Sequence, residues 1–242
     1  MLDLRVEILR GVQRYGPLMQ PKIDVLDFAF GRSKASSFAD LGASYRVDGG
    51  YTFYTIDCWK AKRGVVVDTH PTERTLAEAA AREGVEVVRG NFGDPQIAAR
   101  VGMVDAVILF DVLLHQVSPD WDQLLELYSS QTRLFVIHNP QWLDSKTVRL
   151  LDLGEEKYLA TIPKTRNESV YRAAIDRPDE ILPAHGRRNR DVHHIWQWGI
   201  TDDSLISKLG SLGFALRYFQ DHGFFWNLDS FRNHSFIFEK IS

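Results

Sequence analysis

The sequence predicts one α/β domain built on a mostly parallel sheet with helices on both faces. Three observations carry that expectation. Short apolar runs at residues 64–68, 85–89, 104–110 and 132–138 alternate with helical patterns, the mark of parallel strands joined by right-handed crossovers. The last two strand-like runs, 214–221 and 234–240, have no helix between them, so they should form an antiparallel hairpin at one sheet edge. The composition, 44% hydrophobic and 25% charged over 242 residues, is that of a globular chain long enough to bury a core without disulfide or metal staples.

Taken in order, residues 4–15 place Leu4, Val6, Ile8, Leu9 and Val12 close to helical spacing, a run which Gly16-Pro17 ends. Residues 36–41 form a short apolar run that meets Gly42 and reads as a buried strand. Val65, Val66 and Val67 are consecutive β-branched residues, which favour a strand ending at Asp68. An alanine-rich helix over 73–83 stops at Gly84, a strand over 85–89 follows, and 95–100 is a short helix. Residues 104–110 are apolar apart from Asp105; a helix over 119–130 leads to the strand at 132–138. A helix over 201–212 has Thr201 as its N-cap and Gly213 as its stop.

The segment 140–199 has a different texture. Its mixed charge and its dense run of arginines, histidines and tryptophans are too long for an ordinary connection and read as a binding insertion. Net charge is -3, which provides no global basic field for nucleic acid. Cys58 is the one cysteine, which excludes a disulfide framework. No stretch approaches the ~20 uncharged apolar residues of a membrane span. A soluble, cytoplasmic protein is expected.

In an open parallel sheet, ligands bind beyond the carboxyl ends of the strands, where strand order reverses. Those ends carry Asp40, Gly42, Ala43 and Ser44, then Asp68, then Asn91, Phe92 and Asp94, then Asp111. A glycine there lets the backbone approach a ligand, and a carboxylate can accept both hydroxyls of a ribose. Taken singly, Asp40 and Gly42 describe only a strand end with a turn glycine, and Asp68 is also a good N-cap. Asn91 and Asp94 equally suit an Asx turn.

As an ordered set these residues resemble the class I S-adenosylmethionine-dependent methyltransferases. Phe38-Ala39-Asp40-Leu41-Gly42 is similar to that family's first motif, and Val65-Val66-Val67-Asp68 to its ribose-binding strand end. Residues 83–92 resemble the third strand and adenine-side turn, residues 104–117 the fourth strand and its continuation, and residues 200–214 the penultimate helix with the Gly-Phe that follows it. The resemblance covers 36–139 and 200–242. It implies a Rossmann-like, seven-stranded sheet with an antiparallel C-terminal hairpin, in which 36–139 and 200–242 form the cofactor-binding core. Residues 1–35 would be a helical extension and 140–199 a substrate-side insertion. It also implies S-adenosylmethionine as cofactor, held by Asp40, Gly42, Ala43, Ser44, Asp68, Asn91, Phe92 and Asp111. The sequence departs from the pattern in three places. The first motif is poor in glycine, Asn91 stands where an acid is common, and Gln116 replaces a second histidine.

Asn139-Pro140-Gln141-Trp142 is similar to the motif of nitrogen methyltransferases, but it follows the fifth strand rather than the fourth and reads as a strand-end turn. Histidine is the natural base near neutral pH, which makes His193, His194 and His115 the catalytic candidates for an oxygen nucleophile on a sugar or other small metabolite. The histidines lack metal-ligand spacing, so no metal is expected. Arg187, Arg188 and Arg190 support a rival reading, methylation of RNA or protein, although a solvated basic loop explains them as well. The glycine-poor first motif supports another, a cofactor-binding module without turnover. Whether the chain forms a homo-oligomer is left open.

Overall fold

The computed structural model describes residues 15, 16, 18–163, 168–183, 186–193, 195–225 and 228–241, with side chains for all of these except 168–170. The helix expected over 4–15 lies outside them apart from Tyr15. Helix α1 (Gln20–Ser33) is followed by strand β1 (Ser37–Leu41), helix α2 (Gly50–Trp59), β2 (Arg63–Asp68), α3 (Glu73–Ala80), β3 (Val85–Arg89), α4 (Pro95–Val101) and β4 (Val104–Phe110). A 3-10 turn (Leu113–His115), α5 (Trp121–Ser129) and β5 (Thr132–Trp142) complete the first half.

The seven-stranded sheet has the order β10-β11-β5-β4-β1-β2-β3, where β10 (Phe214–Phe225) and β11 (Leu228–Lys240) are the antiparallel pair. The remaining neighbours, apart from β11 with β5, are parallel. Chain order reverses between β1 and β4. There Leu41 lies level with Val67 on one side and Leu109 on the other, so the carboxyl ends of β2, β1 and β4 form one rim.

Strand alternation splits the core in two. Ala39, Leu41, Val65, Val67, Val107 and Leu109 face α4, α5 and helix α8 (Asp202–Ser211). Phe38, Ala106, Ile108 and Val136 face α1 and α2. Each face therefore buries a continuous apolar layer, as both sides of a parallel sheet require. Thr201 caps its helix as expected, and Thr72 and Asp94, not read as caps in the sequence, do the same. Thr72 accepts from the Thr75 amide, Asp94 from that of Gln96, and Thr201 from that of Ser204.

Two expectations change, and one helix has no counterpart in the sequence reading. Asn139 to Trp142 are not a turn: β5 continues to Trp142, pairing with β11 as far as Phe231. Since β4 ends opposite His138, Pro140 has a strand on one side only, where its missing N–H is tolerated. The hairpin strands are each several residues longer than their apolar cores, because polar edge positions still complete backbone ladders. Helix α2 has no pattern to read: Tyr51 to Ile56 are all buried, so it shows no polar face.

Residues after Trp142 form a satellite unit. Strand β6 (Val148–Arg149) pairs with β9 (Trp198–Gly199), and between them lie helices α6 (Glu155–Thr161) and α7 (Glu168–Asp176) and the short pair β7 (Ile181–Leu182) with β8 (Arg187–Arg188). Trp142, Leu150, Tyr158, Trp196 and Phe231 pack as its core, against Leu114 of the sheet domain. Gln197 N–H donates to the Leu114 carbonyl, which ties the unit to the turn after β4.

Candidate functional site at the strand rim

The turn after β1 is built around Gly42, whose φ of 77° favours glycine and whose Cβ, if present, would stand 3.2 Å from Val112 and 3.6 Å from Phe92. Its amide donates to the Val67 carbonyl, continuing the β1–β2 ladder one residue past the strand. The turn then closes on itself: the Gly49 amide donates to the carbonyl of Ala43, and that of Asp48 to the carbonyl of Ser44.

Asp68 is half-buried at the end of β2. One carboxylate oxygen accepts from the Ser44 amide at 2.9 Å and the other from the His70 amide at 2.9 Å. A carboxylate has about four lone-pair directions, so two amides leave acceptor capacity for hydroxyls. Asp68 therefore ends its strand beside the glycine turn, with strands β1 and β2 adjacent.

Asp40 is buried and accepts from the Thr52 hydroxyl at 2.7 Å. Burial pushes its carboxyl up to about 6, against the pull of the Thr52 hydrogen bond and the Lys22 charge. Asp111 follows β4 with φ 56°, a left-handed conformation that aspartate tolerates. Its Oδ2 pairs with the buried Lys22 Nζ at 2.6 Å, while its buried Oδ1 has no partner. Lys22 also lies 5.6 Å from the ring centres of Tyr51 and Phe110.

The turn after β3 is the Asx turn anticipated for Asn91, whose Oδ1 accepts from the Gly93 amide. Phe92 packs on the core face and its carbonyl accepts from Tyr128. Asp40, Gly42, Ala43, Ser44, Asp68, Phe92 and Asp111 are thus joined by direct contacts, by strand register or through Val112.

The histidines are spread more widely. His115 ends the 3-10 turn after β4, and its Nδ1 lies 2.7 Å from the Ile195 carbonyl. A carbonyl only accepts, so Nδ1 carries the proton and Nε2 the lone pair in the neutral ring. His193 lies in the insertion and hydrogen-bonds Arg187. His194 lies outside the described residues. Arg188 pairs with Asp191 at 2.8 Å and Arg190 with Asp152 at 2.7 Å, so both arginines are engaged within the insertion.

Two groups at this rim escape sequence reading. Lys22 sits in a helix with no motif. His138 ends the parallel part of β5, and a polar His-Asn pair closing an apolar strand was a signal of the same kind that marks Asp68 and Asp111. Among the described residues, no group of three or more His, Cys, Asp or Glu is placed to hold a metal, and no helix is long and apolar enough to cross a membrane.

No family model matches the chain, and no curated protein does either. Solved structures do. An O-methyltransferase family protein from Burkholderia thailandensis superposes with a TM-score of 0.57 at 15% identity, over 92% of this chain, which spans 56% of that protein. The N-terminal domain of EvdMO1, crystallised in the presence of SAH and D-fucose, gives 0.55 at 14% identity, covering 99% of this chain and 98% of that one. The 1,6-didemethyltoxoflavin-N1-methyltransferase of Burkholderia thailandensis, with its substrate and S-adenosylhomocysteine bound, gives 0.59 at 16% identity, covering 98% and 84%. The chain has the fold of these class I methyltransferases.

Proposed function

We propose that this chain transfers a methyl group from S-adenosylmethionine to a small hydroxylated acceptor. The observation that carries the reading is the set of carboxylates Asp40, Asp68 and Asp111, which lie within one residue of the carboxyl ends of neighbouring strands around the Gly42 turn. That set is complementary to a ligand with a ribose at one end and cationic ammonium and sulfonium groups at the other. The cradle left by Gly42 and the orphaned Oδ1 of Asp111 fit such a ligand.

Asp68 would take the ribose hydroxyls, Ala43 and Ser44 the backbone side of the same sugar, and Asn91 and Phe92 the adenine. Asp40 and Asp111 would face the methionine end. When bound, the sulfonium supplies an activated methyl group. The protein's part is then to orient the acceptor, exclude water and take a proton from the attacking hydroxyl. His115, His193 and His194 are the sequence-predicted proton acceptors, of which His115 is held by the Ile195 carbonyl in the tautomer with its proton on Nδ1. The three structural neighbours support small-molecule methylation, and the presence of D-fucose with one of them supports a sugar hydroxyl.

The rival RNA or protein reading rested on Arg187, Arg188 and Arg190, whose contacts here are with His193, Asp191 and Asp152. Titration calorimetry with S-adenosylhomocysteine tests the proposal. Micromolar binding that Asp68→Ala weakens supports it; no binding by the unaltered protein at millimolar ligand removes it.

A further inference from the structure

His138 is fully buried on the α1 side of the sheet, yet its Nε2 has no hydrogen-bond partner. An unpaired buried nitrogen is costly and asks for an explanation. Its Nδ1 lies 2.9 Å from the Ser235 hydroxyl, which stands opposite it in the β5–β11 register. The same hydroxyl lies 2.9 Å from Nε2 of His222, a half-buried residue in the irregular part of edge strand β10.

A hydroxyl has one proton to give. Set between two ring nitrogens, Ser235 can donate to only one of them, so the other nitrogen must donate to it. Two arrangements satisfy both contacts. In one, His138 Nδ1–H donates to Ser235, Ser235 donates to His222, and His138 Nε2 is bare. In the other, every bond points the opposite way and His138 carries its proton on Nε2. These arrangements are the two ends of a proton transfer.

We propose that His138, Ser235 and His222, in place of the sequence-predicted histidines, form a proton-exit relay whose inner end, His138 Nε2, takes the proton from the acceptor hydroxyl. This deepens the proposed function and rests on it. Methylation of a hydroxyl forms a carbon–oxygen bond, leaves the electron pair of the broken carbon–sulfur bond on sulfur, and releases one proton. That proton binds His138 Nε2. The Nδ1 proton of His138 moves to Ser235 Oγ, the Ser235 proton moves to His222 Nε2, and His222 gives up its Nδ1 proton to water.

The surroundings suit the role. Facing His138 are Asp111 after β4, Lys22 from α1, His222 from β10 and His234 from β11; burial first, with the Lys22 charge, outweighs the pull of Asp111 and lowers the ring to about 4, so it is neutral at pH 7. His222, facing Asp24, Asp221 and His234, is also held below the ordinary histidine range by burial. The Asp111 carboxylate, at the rim where the methionine end would lie, acts electrostatically on His138.

NMR of protein carrying 15N-histidine tests the relay. At neutral pH His138 should hold its proton on Nδ1. In Ser235→Ala that proton should exchange with water more slowly, by about tenfold or more, and Ser235→Thr should restore the rate. A bond that only stabilises the fold gives the opposite sign, because removing it exposes the proton and speeds exchange. His222→Gln, at a half-buried edge position, gives the same slowing if the serine variants do not fold. His138 fixed with its proton on Nε2, or exchange unchanged or faster in Ser235→Ala and His222→Gln, overturns the relay. S-adenosylhomocysteine calorimetry on the unaltered protein separates the two readings. Binding with a failed exchange pattern removes the relay alone, and no binding with an intact pattern removes the methyl donor alone.

Discussion

The Ser44 amide donates to Asp68 Oδ2 over 2.9 Å, so the carboxylate that ends β2 also fixes the turn that follows β1. The other oxygen holds the His70 amide. One side chain therefore shapes the rim and, in the proposed reading, also meets the ligand, so its loss should be felt in both ways. Asp68→Ala should weaken S-adenosylhomocysteine binding by about tenfold or more, since charge-assisted hydrogen bonds contribute roughly 1.5–3 kcal/mol each. It should also lower stability by about 1–2 kcal/mol, through the two amides it strands. Asp68→Asn keeps one acceptor oxygen for one of the two amides and sets its NH2 against the other, so it should recover only part of the stability and less of the affinity. Equal affinity in all three proteins by calorimetry would place the ribose elsewhere.

Gly42 turns the chain where a ligand would approach it. Alanine there adopts φ 77° at a cost of roughly 1–2 kcal/mol, and its methyl meets Val112 at 3.2 Å. Gly42→Ala should therefore lower the urea midpoint and reduce S-adenosylhomocysteine affinity together. Stability lost with affinity intact would show that the turn shapes the fold without touching the ligand.

Asp40 predicts a stability change with pH. Its carboxyl ionises near 3.8 in the unfolded chain and at about 6 in the folded one. Between those values the folded state holds more protons, so stability falls as pH rises through the window and stays lower above it. Over about two pH units the effect is about 3 kcal/mol. Asp40→Asn cannot titrate and keeps an acceptor for Thr52. Urea unfolding of both proteins across the window should show the difference in stability growing in favour of the variant as pH rises. Parallel curves would mean that Asp40 ionises as it does in water.

The sheet was legible because parallel strands buried on both faces read as apolar runs, and each run ended in a polar residue. That rule found Asp40, Asp68 and Asp111. Applied to β5 it points to His138, but the proline two residues later suggested a turn, and the ladder to β11 was invisible in the local sequence. Lys22 was hidden for a different reason. A lysine on a helix reads as a solvated charge, and only the packing of α1 over the rim buries it against Asp111. Helix α2 was lost because burial on all sides erases the helical period.

The Lys22–Asp111 pair joins that overlooked helix to the rim, and it yields the last prediction. Lys22 is almost fully buried, whereas the Asp111 side chain is 35% exposed. Removing one partner of a fully buried pair costs about 3–5 kcal/mol; water reaching Asp111 should reduce the cost of Lys22→Met to about 1–3 kcal/mol. The variant carries a second signature. Lys22 is one of the two groups holding the Asp40 carboxyl down, so its loss should move the Asp40 titration to still higher pH. Unfolding curves for Lys22→Met and for the Lys22→Met/Asp40→Asn double variant separate the two effects. The single variant should show the pH-dependent loss displaced upward, and the double variant should show none from Asp40. If the displacement is absent, Lys22 acts on Asp111 alone, and Asp40 and Asp111 are two separate acidic sites rather than one shared electrostatic unit.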